Sequence, residues 1–306
     1  MCGIVGLHLK DPALHPRLGE LLAAMLGQVV ERGPDSAGVA VYGDPRLNPP
    51  GTTAVSLLDT GPLNTALPAE AVAAAVRAAL PDPSVLVGAV QADVTVVVHA
   101  AVPAPVLAAA VAEALPRAMV IGSGRELAVL KGIGHPNQLA EGFGLAAVQG
   151  WQGVAHTRMA TESAVTAAGS HPFSVGPDQC LVHNGSFSNH ATIRRELRAA
   201  GVRFDSENDS EVGARFVAQR LREGLDLEKS LRLLTERFDG FYTLLITTGD
   251  AFAVLRDAIA CKPAIIAQTP QWVAMASEYR ALDTLPGIEA ARIFEPEPEE
   301  VYLWQR

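Results

Sequence analysis

The sequence predicts an α+β fold in which stacked β-sheets are flanked by helices. Many short segments resemble antiparallel strands, while segments with helical spacing occur in groups, as over residues 189–238. This order differs from the strict strand–helix alternation of a parallel sheet. Apolar residues make up 49% of the 306 residues and aromatic residues only 5%. We therefore expect a substantial core built mainly from Ala, Val and Leu.

The first segments predict a strand, a helix and a loop. Residues 2–9 alternate small and β-branched side chains, which indicates a buried strand at the start of the chain. Residues 17–31 carry Leu, Met and Val at helical spacing, which predicts an amphipathic helix. The Gly- and Pro-containing loop 32–38 leads into a strand over 39–42.

Residues 45–117 differ in character and are predicted to form a small α/β module inserted into the main domain. Two Ala- and Val-rich helices, over 69–80 and 104–115, are separated by a strand over 94–99. Prolines bound the region, which contains few side chains suited to catalysis. We expect a packing or partner-docking role for it.

The main pattern resumes after residue 117. The predicted strands are 118–121, 128–130, 153–156, 180–183, 242–247, 251–256, 264–268 and 272–276. The predicted helices are 138–143, 189–200, 210–222 and 227–238. An acidic, Pro-containing segment over 295–300 predicts a surface turn.

Charge and cysteine usage narrow the class of protein. The formal net charge of −9 argues against nucleic acid or an anionic membrane as the main partner. Cys2, Cys180 and Cys261 have no metal-ligand spacing, which fits a reducing compartment, and the last two are predicted to be core residues. The sequence shows neither a secretion-signal pattern nor an apolar run of membrane-spanning length, so it predicts a cytoplasmic protein.

The cysteine at position 2 has the most informative chemistry. Its small side chain permits removal of Met1, which would leave a thiol and a free α-amine on one residue. The thiolate is the nucleophilic form, and an unperturbed thiol with a pKa of about 8.5 is mostly protonated at neutral pH. An α-amine with a pKa of about 8 can accept that proton and return it in a later step. Cys2 is therefore a candidate nucleophile that carries its own base.

Several short polar motifs follow Cys2. Taken singly, each is typical of a turn, a strand end or a helix cap. In chain order they are RGPDSAG (32–38), HTRMAT (156–161), His171-Pro172, HNG (183–185), DSE (209–211), RFDGFY (237–242), Arg256-Asp257, Lys262-Pro263 and ASE (276–278).

This ordered set resembles the glutaminase domain of class II glutamine amidotransferases, which are N-terminal-nucleophile hydrolases. The resemblance covers nearly all of residues 2–306 except the predicted insertion over 45–117. It implies a single amidotransferase domain with the four-layer αββα sandwich of that superfamily, interrupted by the inserted module.

The resemblance also implies roles for particular residues. Cys2 would attack the side-chain carboxamide of glutamine and form a γ-glutamyl thioester. Asn184 and Gly185 would donate to the oxyanion of the tetrahedral intermediate. Arg158 would bind the α-carboxylate of glutamine, and Asp209 would bind its α-ammonium.

Further residues are implied to shape the same pocket. Thr161 and Met159 would line it, and Arg32 with Gly33 would position the N-terminus. Met159 departs from the family, in which an aromatic residue often follows the arginine. No metal is expected, because no carboxylate or cysteine completes a ligand set around the histidines.

The resemblance implies a glutaminase subunit that supplies ammonia to a separate synthase subunit. The chain most resembles the amidotransferase subunit of N-methylglutamate synthase, used in methylamine metabolism, and of glutamate-synthase-like complexes. Expected partners are glutamine and the synthase subunits of a hetero-oligomeric complex. No cofactor is expected in this chain, and a flavin is expected on a partner subunit.

Two other functions stay open at this point. One is a different N-terminal-nucleophile amidase, which would keep Cys2 but would not need the pair of Arg158 and Asp209. The other is a non-catalytic assembly subunit that retains the fold and binds an amino acid. Comparing the hydrolysis of glutamine with that of simple acyl amides distinguishes a general amidase from a glutaminase. Alkylation of Cys2 by a glutamine-like electrophile distinguishes a catalytic subunit from a non-catalytic one.

Overall fold

The chain folds into sixteen strands and eight α-helices within the residues that the structure describes. The computed structural model describes residues 2–59, 68–159, 166–167 and 169–306. The strands are β1 (Gly3–Leu9), β2 (Ser36–Tyr42), β3 (Thr53–Asp59), β4 (Val87–Ala92), β5 (Thr95–Ala100), β6 (Ala118–Gly124), β7 (Leu127–Ile133), β8 (Gln152–Arg158), β9 (Phe173–Gly176), β10 (Gln179–Phe187), β11 (Gly240–Thr247), β12 (Ala251–Arg256), β13 (Ile265–Gln268), β14 (Trp272–Ala276), β15 (Arg292–Phe294) and β16 (Tyr302–Gln305). The helices are α1 (Leu18–Gly27), α2 (Ala69–Ala79), α3 (Ala104–Ala114), α4 (Pro136–Gly142), α5 (His190–Ala199), α6 (Asp209–Arg222), α7 (Leu227–Arg237) and α8 (Tyr279–Leu282).

Two antiparallel sheets stack to form the body of the protein. The seven-stranded sheet has the order β15-β13-β14-β1-β8-β2-β7, and the five-stranded sheet has the order β16-β12-β11-β10-β9. β1 is central in the larger sheet, where Val5 lies opposite Ala276 of β14 and Ala155 of β8. The N-terminal strand is therefore held from both sides.

Successive side chains of β1 point to opposite faces of the larger sheet and so contact two different layers. Val5 and Leu7 face α1 and belong to the core cluster that contains Met25. Ile4 points the other way and packs with Val182 and other residues of the five-stranded sheet. The two sheets consequently bury a common apolar layer between them.

The second outer layer consists of α5, α6 and α7. Leu244 and Ile246 of β11 pack in one cluster with Val217 of α6 and Leu231 of α7. The order of layers is thus helices, sheet, sheet, helices. The predicted four-layer αββα sandwich is confirmed.

A third sheet forms the part of the chain between β2 and β7. Its order is β4-β5-β3-β6, and α2 and α3 cover one face with a separate apolar cluster that includes Val55, Val98 and Val76. Val97, on the opposite face of β5, joins the main core instead. The chain leaves and returns at neighbouring points, because Gly43 N donates to the Glu126 carbonyl at 2.8 Å. The division into a main domain and an inserted module stays a prediction.

The predicted and observed elements differ in several places. β2 begins at Ser36, three residues earlier than predicted, because Ser36 pairs with Arg158 of β8. The helix predicted over 17–31 is shorter, since 3₁₀ turns replace its final part and precede it. Five short strands were not predicted, namely β3, β4, β9, β15 and β16.

The prediction for Cys261 is wrong, whereas Cys180 is buried as predicted. Cys261 lies in the loop between β12 and β13 and is exposed, next to Ala260, whose φ of 51° turns the chain away from the strand path. Across the described residues, no helix combines the length and apolar character needed to cross a bilayer.

Candidate active site

The backbone next to Cys2 is fixed at the end of the central strand. Gly3 N donates to Thr157 Oγ1 at 3.1 Å, and Ile4 N donates to Ser277 Oγ at 3.0 Å. Thr157 belongs to HTRMAT and Ser277 to ASE, so two sequence motifs meet at the first residues of β1. Cys2 itself is partly buried and has a free thiol.

The carbonyl of Cys2 accepts hydrogen bonds from two predicted site residues. Arg32 Nε lies 2.9 Å from this oxygen, and Asn184 Nδ2 lies 3.3 Å from it. Arg32 also donates through Nη1 to Glu278 Oε1 at 2.9 Å. Burial alone would raise the pKa of Glu278, but its contacts with Arg32 and Arg280 lower it overall. A charged arginine–carboxylate pair therefore supports the N-terminus.

Two glycines permit close approach of backbone segments at the site. A Cβ built on Gly33 would lie 2.5 Å from the carbonyl carbon of Arg158. Gly185 has φ +149°, and a Cβ there would collide with the carbonyl oxygen of Phe241 on β11. Neither position has room for a larger residue.

Arg158 and the residue that precedes Asp209 both lie next to Gly169. Arg158 is the buried last residue of β8, and its Nη1 would be 3.2 Å from a Cβ built on Gly169. Asn208 Nδ2 donates to the Gly169 carbonyl at 3.5 Å, and Asn208 caps α6, whose first residue is Asp209. Asp209 Oδ2 in turn accepts from Phe187 N at 2.9 Å. A cation at the end of a strand and a carboxylate at the start of a helix are thus both held close to Gly169.

A buried carboxylate and a buried arginine hold the segment that precedes Asp209. Glu211 accepts from the backbone N–H groups of Asp205 (2.9 Å) and Ser206 (2.7 Å). Arg194 donates to the carbonyls of Ser206 (2.7 Å) and Asn208 (3.0 Å). Arg194 belongs to none of the sequence motifs, so only the tertiary structure reveals these contacts.

Three histidines from separate motifs form a buried cluster. The ring centroids of His156 and His171 are 4.2 Å apart, and those of His171 and His183 are 6.3 Å apart. Burial lowers the pKa of His156 to about 3 and also lowers the pKa values of His171 and His183. In the described part of the chain, no group of His, Cys, Asp or Glu is arranged to hold a metal ion.

The remaining predicted site residues are less informative. Met159 follows Arg158 and is 39% exposed. Thr161 lies outside the described residues. The roles of the predicted site residues stay predictions, although seven of them, from Cys2 to Asp209, lie in the contacts described above.

The chain is similar in sequence to known proteins. The sequence profile of the glutamine amidotransferase domain matches residues 156–284. The chain is 44% identical over 308 residues to the glutamine amidotransferase-like protein GlxB of Rhizobium meliloti (strain 1021), covering 99% of this chain and 98% of that protein. It is 30% identical over 185 residues to the glutamine–fructose-6-phosphate aminotransferase of Pseudomonas putida, covering 59% of this chain and 30% of that enzyme.

A solved structure shares the fold. The glutamine phosphoribosylpyrophosphate amidotransferase from B. subtilis, complexed with ADP and GMP, superimposes with a TM-score of 0.62 at 18% identity. The match covers 99% of this chain and 47% of that one, so this chain spans about half its length.

The sequence matches define a glutamine amidotransferase, and the fold agrees with that class. The chain belongs to the class II glutamine amidotransferases. The prediction that it is an enzyme of this class is confirmed.

Proposed function

We propose that this enzyme hydrolyses the side-chain amide of glutamine through a thioester on Cys2, after Met1 has been removed. The Cys2 thiol passes its proton to the α-amine, and Sγ bonds to the amide carbon. The C–N bond then breaks, and the α-amine returns the proton to the departing ammonia. Water adds to the thioester, the S–C bond breaks, and glutamate leaves with the thiol restored.

The observation that supports this mechanism most strongly is the fixed carbonyl of Cys2. Arg32 and Asn184 both donate to it, at 2.9 and 3.3 Å, so the nucleophilic residue is immobilised beside the proposed oxyanion donor. The Asn184 amide and the Gly185 N–H would stabilise the negative oxygen of the intermediate. A donor of this kind is typically worth about 3–4 kcal/mol in the transition state.

The two charges near Gly169 support the choice of glutamine as substrate. We infer that Arg158 binds the α-carboxylate and Asp209 the α-ammonium, which leaves the amide end to reach Cys2. A simple acyl amide offers neither charge, so a general amidase would gain nothing from this pair. Equal kcat/KM values for glutamine and a simple acyl amide would favour the amidase alternative.

Ammonia release from glutamine tests the nucleophile. Cys2→Ser and Cys2→Ala should abolish it while leaving circular dichroism unchanged. Cys261→Ser is the matched control. Cys261 is an exposed thiol in a loop, so its replacement should leave ammonia release unchanged. Undiminished ammonia release by Cys2→Ala would overturn the proposal.

Two mass measurements complete this test. Intact mass of the native protein should show loss of Met1. Treatment with diazo-oxo-norleucine, with partner subunits present, should then add one adduct at Cys2 in the wild type and in Cys261→Ser. Absence of the adduct would favour the non-catalytic assembly subunit.

We also propose that the ammonia passes to a separate synthase subunit of an N-methylglutamate synthase or glutamate-synthase-like complex, with a flavin held by a partner. Sequence resemblance supports this assignment. The segment 45–117 is the proposed docking module. Leu86, which immediately precedes the edge strand β4 and is 78% exposed, is a suitable probe.

Co-purification of tagged chain with the synthase subunits tests the docking site. Leu86→Glu should reduce recovery of the complex, whereas Ile293→Glu, on exposed β15 outside the segment, should not. Unchanged recovery with Leu86→Glu would argue against docking through this module and direct attention to the acidic turn at 295–300.

A further inference from the structure

His183 connects the two ends of the proposed glutamine pocket. It lies on β10 next to Asn184, and its side chain is 1% exposed. Its Nδ1 is 2.7 Å from Ser210 Oγ in the first turn of α6. The ring stacks on Phe187, with centroids 4.3 Å apart and planes 15° apart. The imidazole is therefore held in one orientation.

The contact continues from Ser210 to Asp209. Ser210 Oγ lies 3.3 Å from Asp209 Oδ1, and the other carboxylate oxygen accepts from Phe187 N. An ionised carboxylate can only accept hydrogen bonds, so the Ser210 hydroxyl donates to Asp209. Because the only hydroxyl proton of Ser210 is used in that hydrogen bond, His183 must donate to Ser210 Oγ through Nδ1–H.

We propose that His183 is a positioning residue that orients Asp209 through the Ser210 hydroxyl. This inference rests on the proposed function and deepens it, because it assigns His183 and Ser210 to recognition of the α-ammonium of glutamine. Asp209 has two oxygens, both engaged from the protein side, and its side chain is 22% exposed. The relay fixes which lone pairs remain for the substrate.

Amide isosteres of histidine separate this role from simple packing. The side-chain N–H of Asn can occupy the position of Nδ1–H, whereas the longer Gln places its N–H near Nε2. We expect His183→Gln to raise KM for glutamine about tenfold and to change kcat less than twofold. His183→Asn should keep KM within about threefold of the wild type.

Ser210→Ala provides a second variant that leaves the imidazole in place. It removes only the hydroxyl and should reproduce the tenfold increase in KM. His171→Gln is the matched control, because its ring is equally buried but neither ring nitrogen has a hydrogen-bond partner within the described residues. Its KM should stay within twofold of the wild type.

Glutaramate, which is glutamine without the α-amino group, tests the proposed contact between Asp209 and the α-ammonium. As a competitor of glutamine hydrolysis, it should have the same inhibition constant against the wild type, His183→Gln and Ser210→Ala, within twofold. A parallel loss for glutaramate and glutamine, or an unchanged KM in both variants, would overturn the inference. Failure of the wild type to release ammonia would instead overturn the proposed function.

Discussion

The Asn184 side chain contacts the nucleophilic residue and is also the proposed donor to the oxyanion. Its Nδ2 donates to the Cys2 carbonyl, and the adjoining Gly185 has a backbone conformation that favours glycine. The strand β10 thus ends its buried stretch with an amide that contacts Cys2. We propose that the oxyanion forms beside this amide.

Asn184→Ala should lower kcat for glutamine hydrolysis by about 10²–10³-fold, because one transition-state hydrogen bond is lost. KM should change little, since Arg158 and Asp209 are the residues proposed to bind the charged groups of the substrate. Steady-state ammonia release measures both. Asn189→Ala, which removes a bond to the distant Arg237 carbonyl, is the control and should retain full kcat. An Asn184→Ala enzyme with normal kcat would remove this residue from the mechanism.

At the scale of elements, the site depends on how loops rest against strand ends. The RGPDSAG loop lies on the end of β8, where Asp35 N donates to the Arg158 carbonyl at 3.1 Å. The segment before α6 is held by Glu211 and Arg194. Both loops are short in sequence, but their geometry is set by buried partners.

Gly33→Ala should destabilise the protein by about 1–3 kcal/mol, because the added methyl would overlap the Arg158 backbone. Urea unfolding measures the change. Gly27→Ala at the end of α1 is the control, since the nearest atom would be 3.8 Å from the new Cβ, and it should be neutral or slightly stabilising. Equal effects of the two substitutions would contradict the contact.

Glu211→Gln should cost about 1.5–3 kcal/mol of stability and raise KM for glutamine. The charged acceptor that faces the N–H groups of Asp205 and Ser206 is replaced by an amide, which weakens the support of Asp209. Glu223→Gln, at the exposed end of α6, should change the free energy of unfolding by less than about 0.5 kcal/mol. A KM unaffected by Glu211→Gln would show that this segment does not control the pocket.

At the scale of the whole molecule, the buried interior combines apolar packing with neutral imidazoles. His156 comes from the larger sheet and His183 from the smaller one, and His171 lies between them. Their pKa values are lowered by burial, so protonation favours the unfolded chain. The sandwich is expected to be acid-sensitive for this reason.

The free energy of unfolding should therefore fall as pH drops below about 6.5, the ordinary histidine pKa. Between that value and the folded pKa, about 3 for His156, the unfolded state binds more protons, and each such histidine contributes about 1.4 kcal/mol per pH unit. Urea midpoints at pH 7.5 and 5.5 measure the slope. His171→Gln should remove about 1.4 kcal/mol of the stability difference between these two pH values. An unchanged difference would show that His171 is not held neutral.

Prediction from the sequence succeeded where a local pattern decides the structure. α5 and α7 lie within one residue of the predicted helices 189–200 and 227–238, because their apolar faces repeat at helical spacing. β4 was missed because Gly and Ala make up half of it and favour a strand only when β5 pairs with it. Cys261 was misplaced because a single positive-φ residue redirects the chain.

The sequence by itself determined which chemical groups the protein has at its disposal, namely a thiol at position 2 and an ordered set of amide, arginine and carboxylate motifs. Such groups are properties of single residues, and their order is visible in the chain. Only the tertiary structure decided that Arg32 and Asn184 meet on one carbonyl, and that His183 reaches Asp209 through Ser210. Those contacts depend on strand register and on packing between two sheets, and no local pattern specifies either.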